Sequence, residues 1–524
     1  MNAPRLALLG PLGCGLAAVL VARRLGALDA SAALVLADCA LFGAGVGALG
    51  VAAPLALRWR AAASRYALVG VLGALLGLGH LLLAPAGPAV MIVVIDCLRA
   101  DRLNEQTSPR LMEFAQHSHR FTQAQAHSTW TRSSVPSLLS SLLPIEHRLY
   151  SLRPVPDRLA DSVRLVSQDF KAADWRTALF AHQPQLSKAF GYGRGFHRHG
   201  RHDGAAPKLH LRFLAWHLLN RQLPRFVYMH HIGVHGPYDP KRSSVAQPRP
   251  KAKVPVHKSK AWDALSHDIN KGRRTLSADE WAYVAAMYDG ETREIDAELG
   301  WLFELLELDG SLDQTWTVIT SDHGEALGEH NRAVHTGPPW EVLIHVPLLI
   351  RPPGGLAQGQ VHDDLVGLID VVPTLLSQVG LPAVPAHAGR DLSPLLRGEP
   401  LAAVPQFAEE KFAARHRASV RDGDWKLIAE GPRRWLFNLA ADPGETVDLA
   451  IAEPAQVAAL EGLLAVWFQA AQAGVPSSSI DWEAARRSGM RWEAPRVQTE
   501  TVGGDADELL RQLEAMGYVE VGDD

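Results

Sequence analysis

Hydrophobic residues are distributed in two different ways along this chain. Before residue 85 they form long blocks: Leu6–Ala22, Ser31–Leu57 and Ala67–Ala84 are apolar or small apart from Ser31, Asp38 and His80. A helix needs about 20 such residues, at about 1.5 Å each, to cross the hydrocarbon of a bilayer. The blocks therefore predict three membrane-spanning helices. The alternatives are a signal peptide for the first block, with Arg5 as its basic flank, or a buried helical hairpin. Arg5 precedes the first block, and Arg58, Arg60 and Arg65 separate the second from the third. The more basic side is expected to be cytoplasmic, which sends everything after Gly87 to the periplasm or the exterior.

From Val90 the apolar residues come in short runs. "VMIVVIDCLRADRL" (90–103) opens with a continuous β-branched run that ends at Asp96. A run of this kind reads as a strand buried on both faces, as in a parallel sheet. "FVYMHHIG" (226–233), "TWTVITSDHGE" (315–325) and "VPLLIRPPG" (346–354) read the same way, the third ending at Asp322-His323. Between them, 285–308 carries Met287, Ile295, Leu299, Leu302, Phe303 and Leu306 at helical spacing. A second helix is predicted over 364–382, with Pro373 as a boundary or kink. Alternating buried strands and helices define an α/β fold, whose chemistry collects beyond the carboxyl ends of the strands.

The pattern divides the chain into a membrane module (1–88), a catalytic core (89–386) and a smaller mixed α+β subdomain (387–524). In the last, 419–439 reads as strands joined by a turn, and 505–521 as an amphipathic helix. The basic, Pro-rich segment 242–274 reads as a solvated excursion loop.

Composition narrows the function only by exclusion. A net charge of −4 gives no basic surface for nucleic acid. Cys14, Cys39 and Cys97 are the only cysteines, too few for a disulfide framework or a zinc ribbon.

Asp96, Asp322 and His323 offer two carboxylates and an imidazole, a donor set that suits one divalent ion (Ca, Mn, Mg or Zn). Such an ion polarises an ester oxygen and activates a ligated hydroxyl. In "AHSTWTRSSVPSLLSS" (126–141) three hydroxyls compete for that role: Thr131, Ser133 and Ser134. Thr131 lies just before the apolar stretch 134–144, and a helix starting there would aim its first amide groups at an anion. His235 and His335 are candidates for binding substrate oxygens or assisting the leaving group. Arg99 either neutralises substrate charge or forms a structural ion pair.

Together these stretches resemble the sulfatase family within the alkaline phosphatase superfamily. "VVIDCLRADRL" (93–103) is similar to the first metal-binding segment, and "TSDHGEALGEH" (320–330) to the second. "VHGPYDP" (234–240) is similar to the histidine-bearing substrate loop. "HTGPPWEVLIHVPLLIRPPG" (335–354), "LIDVVPTLLSQVGLP" (368–382), "WKLI" (425–428), "LFNLAADPGETVDLA" (436–450) and "LEAMGY" (513–518) extend the likeness. The resemblance implies a sulfatase-like mixed central sheet flanked by helices, with Asp96, Thr131, Asp322 and His323 as metal ligands. It also implies catalytic roles for Thr131, His235 and His335.

The chain departs from the family in two places. Many sulfatases have a second Asp where Cys97 stands. Their formylglycine motif (Cys or Ser, any residue, Pro, any residue, Arg) aligns through "SLLS" (137–140) with Thr131-Arg132-Ser133-Ser134-Val135. Oxidation of Thr would leave a ketone, so formylglycine chemistry is not expected. Thr here resembles relatives that transfer phosphoethanolamine or phosphoglycerol from membrane lipids. The expectation is thus a membrane-anchored, metal-dependent enzyme of the bacterial inner membrane, its catalytic domain outside. It would cleave phosphate or sulfate esters, or transfer a headgroup, through Thr131. Its partners would be the bilayer and an anionic ester of a lipid headgroup or glycan. A non-catalytic membrane-tethered scaffold is the other class.

Overall fold

The computed structural model describes residues 85, 87–150, 156–201, 206–247, 252–412, 415–475, 479–494 and 499–501. The larger compact unit, Gly87–Phe303 with Leu312–Asp524, contains the central sheet and the candidate site.

Its core is an eight-stranded sheet: β1 (Ala89–Ile95), β2 (His119–Gln125), β3 (Arg176–Ala181), β4 (Arg198–Arg201), β5 (Arg225–His231), β6 (Thr315–Thr320), β7 (His345–Arg351) and β8 (Gln360–Gly367). The spatial order is β8-β2-β7-β6-β1-β5-β3-β4. β1 pairs in parallel with β5 and β6, and β3 in parallel with β5 and β4. β7 runs antiparallel to both of its neighbours, which makes the sheet mixed. All seven residues of β1 and of β5 are buried, β1 as an unbroken apolar run and β5 with Phe226–Met229 between Arg225 and the His230-His231 pair. Each large aliphatic side chain so buried contributes about 1.5–3 kcal/mol. Because β1, β3, β5 and β6 are parallel neighbours, their carboxyl ends open on one edge of the sheet. The chain passes to opposite sides of β1 to build β5 and β6, and that reversal leaves a crevice at the strand ends.

Four helices frame the sheet and the site. The first, α1 (Thr131–Ser140), is buried along its whole length. Next comes α2 (Ser259–Asn270), then α3 (Ala278–Leu308). The fourth, α4 (Pro454–Gln472), packs on the C-terminal sheet. That sheet is an antiparallel meander of β9 (Gln406–Phe412), β10 (Arg415–Asp422), β11 (Trp425–Glu430) and β12 (Arg433–Asn438). Leu460, Leu463, Leu464, Trp467 and Phe468 of α4 meet Ala418, Val420, Leu427 and Leu436 in one cluster.

The structure corrects several sequence expectations. Among the described residues no helix is long and apolar enough to cross a membrane. The longest, α3, carries Asp289, Glu291, Arg293, Glu294, Asp296 and Glu298 through its middle, charges a bilayer interior would not accept. The expected spans at 6–22, 31–57 and 67–84 lie outside the described residues. Nothing observed therefore supports the transmembrane part of the fold class, the bilayer partner, the inner-membrane location or the outward-facing topology, and these expectations are set aside. The predicted helix at 505–521 also lies outside the described residues. The basic segment 242–274 is more than a loop, since it contains α2, anchored by buried Trp262 and Ile269. The predicted helix over 364–382 begins as strand β8, and Leu368–Asp370 forms a 3-10 turn that leads into the α-helix Val371–Gln378, with Pro373 in its first turn.

One polar cluster ties the C-terminal meander to the core. Lys426 on β11 is fully buried, and its Nζ lies 2.8 Å from Glu341 Oε1 and 2.8 Å from Glu445 Oε1. Arg421 Nη1 and Gln125 Nε2 hold the other Glu341 oxygen at 3.1 and 3.0 Å. Lys426→Met removes the central cation and leaves two buried carboxylates without it. The expected loss is about 3–5 kcal/mol of folding stability, read from denaturant unfolding.

Candidate active site

The strand ends bring together residues far apart in sequence. Asp96 follows β1 directly, and its N–H donates to His231 O at 2.9 Å. The chain then turns sharply at Cys97, whose φ of 65° is unusual for a non-glycine residue. Tyr288 of α3 braces that turn, its hydroxyl donating to Cys97 O at 2.7 Å. Asp322 and His323 follow β6 in the same way. The glycine after them is required by space, because a Cβ at Gly324 would lie 2.1 Å from Val342 O.

The donor atoms of Asp96, Asp322 and His323 all lie within 4.8 Å of one another, and all three residues are fully buried. His323 Nε2 is 3.5 Å from Asp96 Oδ1 and 3.6 Å from Asp322 Oδ2. His323 Nδ1 lies 2.9 Å from Gly324 O. A carbonyl only accepts, so the proton sits on Nδ1 and the Nε2 lone pair is directed at the carboxylates.

Helix α1 settles which of the three hydroxyls belongs to this cluster. Ser133 Oγ donates to Leu149 O at 2.7 Å, and Ser134 Oγ to Asp322 O at 2.5 Å. Both are occupied in holding the backbone. Thr131, the first residue of α1, places Oγ1 3.3 Å from His323 Nε2. Its neighbour Arg132 points away into a buried niche, 4.1 Å over the Phe190 ring, where it hydrogen-bonds Asp157 O.

The two other predicted histidines lie at the half-buried rim. The His235 and His335 ring centroids are 5.1 Å apart, and His335 is 4.6 Å from His323. Arg99 takes the structural role: it is bidentate to Asp101, and Nη1 reaches Glu329 at 2.7 Å.

Two residues that sequence reasoning missed also enter the cluster. Gln183, just beyond β3, donates from Nε2 to Asp96 Oδ2 at 2.7 Å and to Thr131 Oγ1 at 3.3 Å. His230, the penultimate residue of β5, places Nε2 3.4 Å from Asp96 Oδ2 and 3.9 Å from Asp322 Oδ2. Each sits at the end of a buried run, the same signal that marked Asp96.

With this geometry established, comparison with known proteins is decisive at the level of family. The sequence pattern of the family described as Sulfatase matches residues 88–381, more than half of the chain. The chain belongs to the sulfatase family. A second pattern, N-sulphoglucosamine sulphohydrolase C-terminal, matches residues 339–464 of this sulfatase-family chain. Arylsulfatase K of Gallus gallus is 32% identical over 238 residues, 41% of this chain and 44% of that protein. The match thus spans less than half the length of that relative. Among solved structures, a phosphonate monoester hydrolase from Silicibacter pomeroyi superimposes with a TM-score of 0.61 at 20% identity, covering 75% of this chain and 97% of the other. A 2-O GAG sulfatase superimposes with a TM-score of 0.60 at 18% identity, covering 78% and 98%. These two likenesses concern the fold. Family membership agrees with the expectation of an ester-cleaving enzyme.

The sulfatase family implies a divalent cation, and this cluster fits one. Asp322 Oδ2 is buried without a hydrogen-bond partner, an orphan that a cation would satisfy. Burial lowers the His323 pKa to about 3, keeping the imidazole neutral as a ligand must be. The two acids share one confined space and are driven apart. Burial, then repulsion from Asp96, pushes Asp322 up to about 7, against the pull of His230 and the Thr131 hydrogen bond. Asp96 is held far below the usual carboxylate range. Burial opposes this, but the His230 hydrogen bond, followed by the electrostatic pull of the surrounding imidazoles, outweighs it.

A cation entering the sulfatase-family site must therefore displace a proton from Asp322 when the pH is below about 7. Apparent affinity is expected to rise about tenfold per pH unit up to that point and then level off. Calorimetric titration in buffers of different ionisation heat reads the released proton. A pH-independent affinity between 5 and 7 would contradict the raised Asp322.

Proposed function

We propose that this protein is a metal-dependent hydrolase of anionic phosphorus esters, with Thr131 as nucleophile. The observation that carries the reading is the position of the Thr131 hydroxyl. Of the three candidate hydroxyls in this segment, it is the one set among Asp96, Asp322 and His323.

Asp96, Asp322, His323 and Thr131 Oγ1 would hold the cation, which supplies Lewis acidity to the ester oxygen and lowers the pKa of the bound hydroxyl. The chain's own groups do the rest. Gln183 fixes the Thr131 oxygen by donating to it, so a lone pair stays directed out of the cluster. The amide groups that open α1 would stabilise negative charge developing on the non-bridging oxygens. His235 and His335 sit at the rim, placed to hold the ester and to deliver a proton to the departing alkoxide. The Thr131 O–H bond breaks with its proton passing to solvent, and attack then forms the Thr131 Oγ–phosphorus bond and breaks the bond from phosphorus to the leaving oxygen. Water then cleaves the threonyl ester. An acceptor hydroxyl in place of water would give group transfer, as in the phosphoethanolamine and phosphoglycerol transferases that Thr at this position resembles.

Phosphorus is favoured over sulfur because Thr at the nucleophile position is the pattern of those transferases and not of the formylglycine-dependent sulfatases. The relatives include both a phosphonate monoester hydrolase and sulfatases, so the family accommodates either centre. The test is a matched set of chromogenic phosphate diesters, phosphonate monoesters, phosphate monoesters and sulfate esters, each assayed with separate divalent cations. Turnover is expected to be fastest on a phosphorus ester carrying one negative charge. Sulfate-ester turnover with silence on every phosphorus ester would sink the proposal.

A further inference from the structure

Beside the Asp96–Asp322–His323 cluster lies a second group of donors, of which the proposed ester cleavage uses only His335. Cys97, Glu325 and His335 come from the turn after β1, the turn after β6 and the segment ahead of β7. Cys97 Sγ is 3.7 Å from His335 Nδ1, and Glu325 Oε1 is 3.4 Å from the same nitrogen. Glu325 is fully buried, and neither of its carboxylate oxygens has a hydrogen-bond partner of ordinary geometry. Its surroundings are the Cys97 thiol, the Tyr238 hydroxyl and the His335 ring rather than water, a setting in which a cation would complete the site.

We propose that Cys97 Sγ, the Glu325 carboxylate and His335 Nδ1 form a second cation site, adjacent to the first and suited to a thiophilic divalent ion of the zinc class. The spacing supports this. Tetrahedral zinc, bound to sulfur at about 2.3 Å and to nitrogen or oxygen at about 2.0–2.1 Å, holds its ligand atoms roughly 3.3–3.6 Å apart. The separations of 3.7 and 3.4 Å from His335 Nδ1 are close to that spacing, and gathering all three donors on one ion needs the Glu325 carboxylate to turn toward the sulfur. His323 Nδ1, 3.8 Å from the same sulfur, is committed to Gly324 O and stays with the first site. The left-handed turn at Cys97 directs two consecutive side chains, Asp96 and Cys97, into neighbouring sites.

Loading the second site exchanges the thiol proton for the cation: S–H breaks, S–metal forms, and the proton goes to solvent. The thiol stops donating to Asp96 Oδ1, now 3.3 Å away, and that oxygen becomes free for the first cation. Coordination through Nδ1 fixes the His335 tautomer with its proton on Nε2. Three protein ligands leave one tetrahedral position open for water or a substrate oxygen.

The test titrates metal-stripped full-length protein with cobalt(II), following bound equivalents and the near-ultraviolet thiolate-to-cobalt charge-transfer band. This readout is independent of which ester is cleaved. Two equivalents and a charge-transfer band are expected for the wild type. Cys97→Ser should lose the band and one equivalent, and Glu325→Gln should weaken the same equivalent at least tenfold. Asp322→Asn should lose the other equivalent and keep the band. A wild-type titration that ends at one equivalent, or that shows no band, overturns the proposal whatever the variants do. So does a band lost in both Cys97→Ser and Asp322→Asn, which would make Cys97 a ligand of the first site alone.

Discussion

Thr131→Ala is expected to reduce kcat on the best ester by roughly 10³-fold or more, the scale on which removal of an enzyme nucleophile acts. The change should be clean. Thr131 opens α1, and its side chain supports no backbone contact of the kind made by Ser133 and Ser134. The helix is held by those serines and by Val135, Leu138 and Leu139 in the main core, so circular dichroism and unfolding midpoint should hardly move. The assay is run at saturating cation, because the Thr131 oxygen is expected to add to metal affinity. Ser133→Ala is the comparison: it removes an internal hydrogen bond, so stability should fall by about 1 kcal/mol with kcat changed little. The reverse pattern, activity surviving Thr131→Ala and lost in Ser133→Ala, would mean the nucleophile has been misassigned.

Asp322→Asn should separate function from stability in opposite directions. The side chain is fully buried beside a second acid, with one oxygen unpartnered. The neutral amide removes a repulsion from the cation-free protein and removes a ligand from the loaded one. Cation-free Asp322→Asn is therefore expected to unfold at the same temperature as the wild type or higher. It should show neither turnover nor metal-dependent stabilisation. Wild type should gain about 2.7 kcal/mol at a cation concentration 100-fold above Kd. Thermal unfolding with and without cation gives both halves. A variant that melts lower when cation-free, or that still gains stability from cation, would show that Asp322 is a structural residue.

Where the sequence was legible, the reason is physical. Asp96 and Asp322-His323 could be placed together across more than two hundred positions because each ends an apolar run that can only be a buried strand. Parallel strands collect their ends at one edge. Thr131 was legible as a helix start. Gln183 and His230 end β3 and β5 by the same logic, yet Gln has many structural uses and His230 lies among several histidines, so neither stood out. β8 was read as helix because an edge strand has no continuous buried face: in "QVHDDLVG" only Val366 and Gly367 are buried. The helix α2 was hidden by its charge, since Trp262 and Ile269 anchor it within a segment rich in Lys and Arg. Membrane spans were read from apolar length alone, in a region outside the described residues. Among the described residues, no helix is long and apolar enough to cross a membrane.

The turn at Cys97 and the strand ends around it have a kinetic consequence. Helix α1 with Thr131, the first carboxylate and Gln183 are all present by residue 183, but the cluster is incomplete until β6 inserts beside β1 and delivers Asp322 and His323. β6 lies beyond the whole of α3 in sequence, so this pairing is among the most non-local in the domain, and non-local pairings form slowly. A nascent or truncated chain that stops short of residue 323 could hold half the donors and no site. Cation uptake thus reports that the central sheet has closed. In a refolding experiment it should appear with the last phase of the fluorescence change, however early the helices form.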